Sequence, residues 1–145
     1  MTVLVTGGAG FIGSEFVHEL YKSGLDSIAI VDSLTYAGNL NNLQSILPNI
    51  RFHNVDICDV NGLAEVFRLE KPTTVVHFAA ESHVDNSISS PNIFLETNVG
   101  GTLNILKLSV QHGVEKYIHI STDEVYGSLR EGMAVESSCF NPASP

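Results

Sequence analysis

Three groups of residues in this sequence are of types and spacings that could do chemistry together. Gly7, Gly10 and Gly13 recur at every third position of Thr6-Gly7-Gly8-Ala9-Gly10-Phe11-Ile12-Gly13. Small residues there let the chain turn tightly and bring main-chain amides up to a pyrophosphate. The last glycine lets a following helix pack close to a sheet. A glycine triplet alone is weak evidence; its position between an apolar run and an amphipathic stretch strengthens it. About 20 residues downstream, Asp32 ends a second apolar run. A carboxylate at that point accepts hydrogen bonds from ribose hydroxyls and repels a 2′-phosphate, which favours NAD over NADP. Read by itself, Asp32 could equally just end a strand. The third group, Thr122-Asp123-Glu124, follows another apolar run. Two acids beside a threonine could serve a proton-transfer reaction. With Ser121 they would also make an N-cap cluster, and the pattern alone leaves both readings open.

The elements that must position these residues are legible as alternating apolar runs and helical stretches. Residues 2–6 read as a buried strand and 11–23 as a helix stopped by Gly24. Residues 27–32 read as a second strand. A polar stretch over 33–49 has a short helix near 41–46. Residues 51–55 read as strand three, 60–69 as a helix and 74–79 as strand four. Pro91, suited to a first helical turn, opens a long helix running to about Gln111, and 116–121 form strand five. Buried strands separated by crossover helices predict an α/β fold, a doubly wound parallel sheet in the order 3-2-1-4-5.

At 145 residues the chain suits one domain. It contains no apolar run of the roughly 20 residues needed to span a bilayer, so no membrane partner is expected. The start, Met1-Thr2-Val3-Leu4-Val5-Thr6, lacks the basic region and cleavage site of a signal peptide, and a cytoplasmic location follows as the expectation. The net charge of −9 argues against a nucleic-acid surface, yet is compatible with a phosphate held by helix amides. Cys58 and Cys139 are far apart and read as free thiols. The histidines at 18, 53, 77, 83, 112 and 119 are scattered, so no metal site is expected.

The glycine-rich segment resembles the N-terminal motif of the extended short-chain dehydrogenases that act on nucleotide sugars. The resemblance runs along essentially the whole chain. Asp32-Ser33-Leu34-Thr35-Tyr36-Ala37-Gly38-Asn39-Leu40 is similar to the ribose-binding segment of the dTDP-glucose 4,6-dehydratase group, and Asp56-Ile57 to the pair flanking adenine. Phe78-Ala79-Ala80-Glu81-Ser82-His83-Val84-Asp85 resembles the loop beside the pyrophosphate and nicotinamide ribose, where Ser82 also reaches the sugar. Glu96-Thr97-Asn98-Val99-Gly100-Gly101-Thr102 resembles the long-helix motif, with Thr97 nearest the cofactor. Plainer readings stand beside these. Asp56 could cap the next helix, Ala79 and Ala80 could be small because a helix passes closely, and Gly100-Gly101 are read as serving tight helix packing.

The resemblance therefore implies a Rossmann fold over residues 1–145 that binds NAD. Gly7, Gly10, Phe11, Ile12, Gly13, Asp32, Ser33, Leu34, Thr35, Gly38, Asp56, Ile57, Phe78, Ala79, Ala80, Ser82 and Thr97 are the implied cofactor-binding residues; Ser82 and Thr122 are the implied substrate-binding ones. It also decides the reading of Ser121-Thr122-Asp123-Glu124-Val125-Tyr126-Gly127 in favour of dehydration. In that reaction hydride leaves sugar C4 for NAD, and the 4-ketone acidifies the C5 proton. Glu124 removes that proton, Asp123 protonates the departing C6 hydroxyl, and hydride returns at C6. Thr122 orients the C4 oxygen. One acid must be ionised and the other protonated, states that neighbouring carboxylates in a desolvated crevice can divide between them. Neighbours on a strand point to opposite faces, so both acids reach one sugar only if the strand ends before Asp123.

The extended family also uses a Tyr-x-x-x-Lys motif, which this sequence lacks. In the family it follows a segment like Asn141-Pro142-Ala143-Ser144-Pro145, where the sequence stops. The expectation is an incomplete domain, without the last strands and the sugar-nucleotide region, that binds NAD without turnover. An exposed apolar face on the long helix is expected to cause self-association, matching a homodimer of the full-length protein. The alternatives are a UDP- or CDP-sugar dehydratase, a 4-epimerase, or a non-catalytic NAD-binding module. The retained acid pair argues against the module.

Overall fold

The computed structural model describes residues 1–128 and 131–143. Five strands, β1 (Val3–Thr6), β2 (Ile28–Asp32), β3 (Arg51–Asn54), β4 (Thr74–His77) and β5 (Lys116–His119), form one sheet in the order β3-β2-β1-β4-β5. Every pairing is parallel. The expected doubly wound topology is therefore the observed one.

Alternation along the central strands builds two cores. Val3, Val5, Ile28, Ile30 and Val76 face α1 (Phe11–Lys22) and the segment 40–50, meeting Val17, Leu43, Ile46 and Ile50. Leu4, Ala29, Val31 and Val75 face the other way, onto α2 (Val60–Glu70) and α5 (Thr102–Gln111), meeting Leu63, Phe67, Ile105 and Leu108. Strands buried on both faces need this continuous Val, Ile and Leu composition. The edge strands β3 and β5 are only half-buried and carry polar ends. Glu70, buried at the end of α2, clamps the β3 edge through Arg51 Nε (2.5 Å) and His53 Nε2 (2.7 Å).

Helix ends follow local chemistry. Gly24, at φ +81°, ends α1 as expected. Asp59 caps α2 by accepting from the amides of Asn61 and Gly62. Several boundaries differ from the sequence reading. The polar stretch holds two 3₁₀ turns, Leu40–Leu43 and Leu47–Asn49, in place of one helix. Strands β4 and β5 end together at His77 and His119, two residues earlier than expected. Beyond them the backbone turns aside, with Ala79 N approaching Thr6 Oγ1 (3.4 Å). A short helix, α3 (Val84–Ser89), was not foreseen.

The long helix is also not uniform. It runs as α4 (Pro91–Phe94), a π-helical turn (Leu95–Gly101) and α5. Gly100 and Gly101 are weak helix formers, so the wider turn costs least there. Gly101 is buried against Ile57, and a Cβ would come within 2.5 Å of that side chain. The packing role read for this glycine is what the fold uses.

Candidate active site

The segments after β4 and β5 border one crevice, and the glycine turn after β1 abuts it through Gly7 against Ala79. Gly7 leaves β1 at φ +69° with its amide on Val31 O (2.8 Å). A Cβ on Gly7 would lie 2.6 Å from Ala79 N, and one on Gly13 would overlap Gly7 O. Both positions therefore require glycine for close backbone approach. Gly10 N bonds to Gly7 O (3.2 Å), and Ser14 N to Gly10 O (3.0 Å), which starts α1. Phe11 and Ile12 expose their side chains at this helix N-terminus.

Asp32 ties this turn to the neighbouring loop. Its Oδ2 accepts from Ala9 N and its Oδ1 from Leu34 N, both at 2.9 Å, and the residue is 8 % exposed. Each oxygen keeps a second lone pair for a ligand hydroxyl. A Cβ on Gly38 would lie 2.6 Å from Asp32 Oδ1, so this glycine keeps the approach to the carboxylate open. Ser33 and Thr35 are exposed, while Leu34, at φ +53°, packs its side chain inward on the core.

Other expected residues turn their side chains to contacts within the fold. Phe78 packs on Phe16, with ring centroids 5.2 Å apart. Ile57 is buried under Gly101, and its carbonyl accepts from Asn104. Asp56 makes a local turn by accepting from Cys58 N (2.8 Å); the helix cap it was weighed for is Asp59. Thr97 faces Cys58, whose thiol burial pushes above its ordinary pKa, and Thr97 lies outside the cleft described next. Both cysteines are free.

That cleft, of about 220 Å³, is lined by Ala79, Ala80, Glu81, Ser82, Asn98, Thr102, Ser121, Thr122 and Glu124 among others. It thus joins the loop beside the glycine turn to the Thr-Asp-Glu segment. Strand β5 ends at His119, and Asp123–Tyr126 form a 3₁₀ turn, so the acids are not constrained to opposite faces. Thr122 stands at the N-cap position but makes no side-chain cap bond. Its hydroxyl is therefore not spent on capping. Asp123 and Glu124 share a second, adjoining hollow of about 250 Å³ with Gly127, Ser128 and Ala143. Glu124 lines both; Asp123 lines only the second. The turn is held from behind by Asn141 N on Val125 O (2.9 Å) and by Tyr126 against Phe140. Ser144 and Pro145, which complete the segment expected before the Tyr-x-x-x-Lys motif, lie outside the described residues.

Two residues, Asn98 in the cleft and His77 buried behind Thr102, were not singled out from the sequence. Asn98 grips the main chain of Glu81 in both directions: Glu81 N donates to Asn98 Oδ1 (2.8 Å), and Asn98 Nδ2 donates to Glu81 O (2.9 Å). His77, buried at the end of β4, bonds Thr6 Oγ1 through Nδ1 (2.6 Å) and Thr102 Oγ1 through Nε2 (3.0 Å). Burial, with His119 nearby, lowers its pKa to about 4. Among the described residues, no group of three or more His, Cys, Asp or Glu is placed to hold a metal ion, and no helix is long and apolar enough to cross a membrane.

Known proteins share this arrangement along the whole chain. A dTDP-glucose 4,6-dehydratase of Neisseria meningitidis is 46% identical over 156 residues, covering 99% of this chain and 44% of that protein. One from Mycobacterium tuberculosis is 46% identical over 149 residues, covering 100% of this chain and 44% of its own length. The chain thus spans less than half the length of these curated relatives. Among solved structures, the dTDP-glucose 4,6-dehydratase of Streptomyces venezuelae with NAD bound superposes with a TM-score of 0.92 at 48% identity, covering 99% of this chain and 46% of that one. A UDP-glucose 4-epimerase of Thermus thermophilus in complex with NAD gives 0.91 at 40% identity, covering 99% and 45%. The family described as GDP-mannose 4,6 dehydratase matches residues 4–145, and the chain belongs to that family.

Proposed function

We propose that this chain is the cofactor-binding part of an NAD-dependent nucleotide-sugar 4,6-dehydratase acting on dTDP-glucose. The observation that carries the reading is the cleft that brings Ser82, Thr122 and Glu124 to the loop abutting the glycine turn. The residues fit NAD because Gly7 and Gly13 let the backbone close into a tight turn at the start of α1, while Gly10 faces comparatively open space, a Cβ there meeting only Gly7 O at 3.3 Å and Ala37 O at 4.0 Å. The main chain of Gly7, Gly10, Phe11, Ile12 and Gly13 would hold the pyrophosphate at the start of α1. Asp32, with Ser33, Leu34, Thr35 and Gly38 around it, would take the adenosine ribose and exclude a 2′-phosphate. Asp56, the main chain of Ile57, and Thr97 belong to the adenine end. The main chain of Phe78, Ala79 and Ala80 would line the nicotinamide end.

NAD held there would supply reversible hydride chemistry, and the overall dehydration has no net redox change. The chain's own groups do the rest. Thr122 holds the sugar C4 oxygen, and Ser82 binds the sugar from the opposite wall. Glu124, at the boundary of both hollows, removes the C5 proton of the 4-keto sugar and gives a proton back to C5 when hydride adds at C6. Asp123, in the adjoining hollow, protonates the C6 hydroxyl as it leaves as water. General acid or base groups of this kind are worth about 10² to 10⁴ in rate.

A chimera carrying this segment in place of the matching half of the N. meningitidis relative tests the reading. Given dTDP-glucose and NAD, it should form a product lighter by one water, seen by mass spectrometry. Glu124→Gln and Asp123→Asn should each slow that product by about 10² to 10⁴ while NADH binding is retained. The likeness to a UDP-glucose 4-epimerase supports a second reading, epimerisation. A product of unchanged mass from UDP-glucose would establish it and overturn the first. The homodimer belongs to the same proposal. Leu95, Val99, Leu103, Leu106 and Val110 form an exposed apolar stripe along the long helix, suited to a second copy of the chain.

A further inference from the structure

The glycine turn lies between two banks. On one side runs the loop 33–39, whose Ala37 O would lie 4.0 Å from a Cβ on Gly10. On the other is the segment after β4, whose Ala79 abuts Gly7. Tyr36 Oη donates across the gap to Glu81 Oε2 at 3.0 Å, joining the banks above the turn. Each end of this link is anchored. Asn39 N bonds Ala9 O (3.0 Å), and Leu34 N bonds Asp32, so the loop carrying Tyr36 is fixed at both feet. Glu81 is gripped on its N–H and C=O by Asn98. Partial burial and the neighbouring Glu81 carboxylate raise the Tyr36 pKa, so the phenol keeps the proton it donates.

We propose that Tyr36 and Glu81 form a clasp over the glycine turn, and that a dinucleotide enters and leaves when this hydrogen bond opens. The inference rests on the reading that the turn holds a dinucleotide. Its physical content is kinetic. A gate that does not itself touch the ligand scales entry and exit by the same open fraction, and leaves affinity unchanged. A residue that contacts the ligand instead changes affinity, mostly through the dissociation rate.

The test is stopped-flow fluorescence of NADH with the purified chain, wild type against Tyr36→Phe, Glu81→Ala and the double variant. Each single variant should raise association and dissociation rates together, by about fivefold, the size expected for an exposed hydrogen bond to a carboxylate. Kd should stay within about twofold for Tyr36→Phe, which leaves the cleft-lining Glu81 in place, and the double variant should be no faster than either single one, since both remove the same bond. Unchanged rates in both singles would overturn the clasp, as would faster dissociation with weakened binding in Tyr36→Phe. If the wild-type chain bound no NADH at all, the dinucleotide reading itself would fall, an outcome distinct from either of these.

Discussion

His77 illustrates how much a single buried side chain constrains. Ala79 N–H points at Thr6 Oγ1, so the Thr6 hydroxyl can give its proton to Nδ1, leaving Nε2–H for Thr102. This directional chain works only with a neutral ring. Its pKa in the fold, about 4, lies below the ordinary 6.5. As pH falls between those values the unfolded chain takes up the proton and the native state does not, so stability falls over that window. The loss amounts to something on the order of 3 kcal/mol. Urea unfolding of wild type and His77→Gln from pH 7 to 4.5 checks this. The variant should be less stable at pH 7 and lose less of its stability on acidification. Parallel slopes would show that His77 does not carry the acid sensitivity. The sequence made Gly7, Gly13 and Asp32 legible because their roles are demanded by local backbone geometry and by position at a strand end. His77 and Asn98 stayed silent because their partners are 71 and 17 residues away.

At the scale of the element, the sheet was readable from alternation and its order from the crossover pattern. Strand ends were not, because β4 and β5 stop where neighbours cease to pair, a tertiary event. The π-turn was hidden for a similar reason: it satisfies packing on Ile57 and the grip of Asn98 on Glu81, neither of which has a periodic signature. Gly101→Ala tests the packing directly. Helix propensity favours alanine by about 1 kcal/mol, whereas overpacking costs about 1 to 3 kcal/mol. A Cβ 2.5 Å from two Ile57 atoms makes the second effect larger. Thermal unfolding should therefore show a net destabilisation, relieved when Ile57→Val or Ile57→Ala is added. A stabilised Gly101→Ala chain would mean that the contact is looser than described.

For the whole molecule, both cores are closed by helices, yet the long helix turns six apolar side chains to solvent, the five of the stripe and Ile93, with Val110 84 % exposed. A patch of this kind marks an association surface. Sedimentation velocity should show concentration-dependent dimers that Val99→Lys with Leu103→Lys converts to monomers, without loss of the far-ultraviolet helix signal. Monomers of the wild-type chain at high concentration would count against the stripe as an interface. The strong negative charge opposes association through the rest of the surface, so salt should strengthen the dimer.

The wide turn at Leu95–Gly101 has one more implication, for length. Each residue of an ordinary helix adds about 100° of rotation. Winding the same residues as an ordinary helix would swing everything before them by roughly that angle about the axis and aim Asn98 away from Glu81. Removing one residue, Gly100, together with the wide turn would largely cancel the swing. Here the fold reads a residue count as an angle, and the width of the turn compensates for its extra residue.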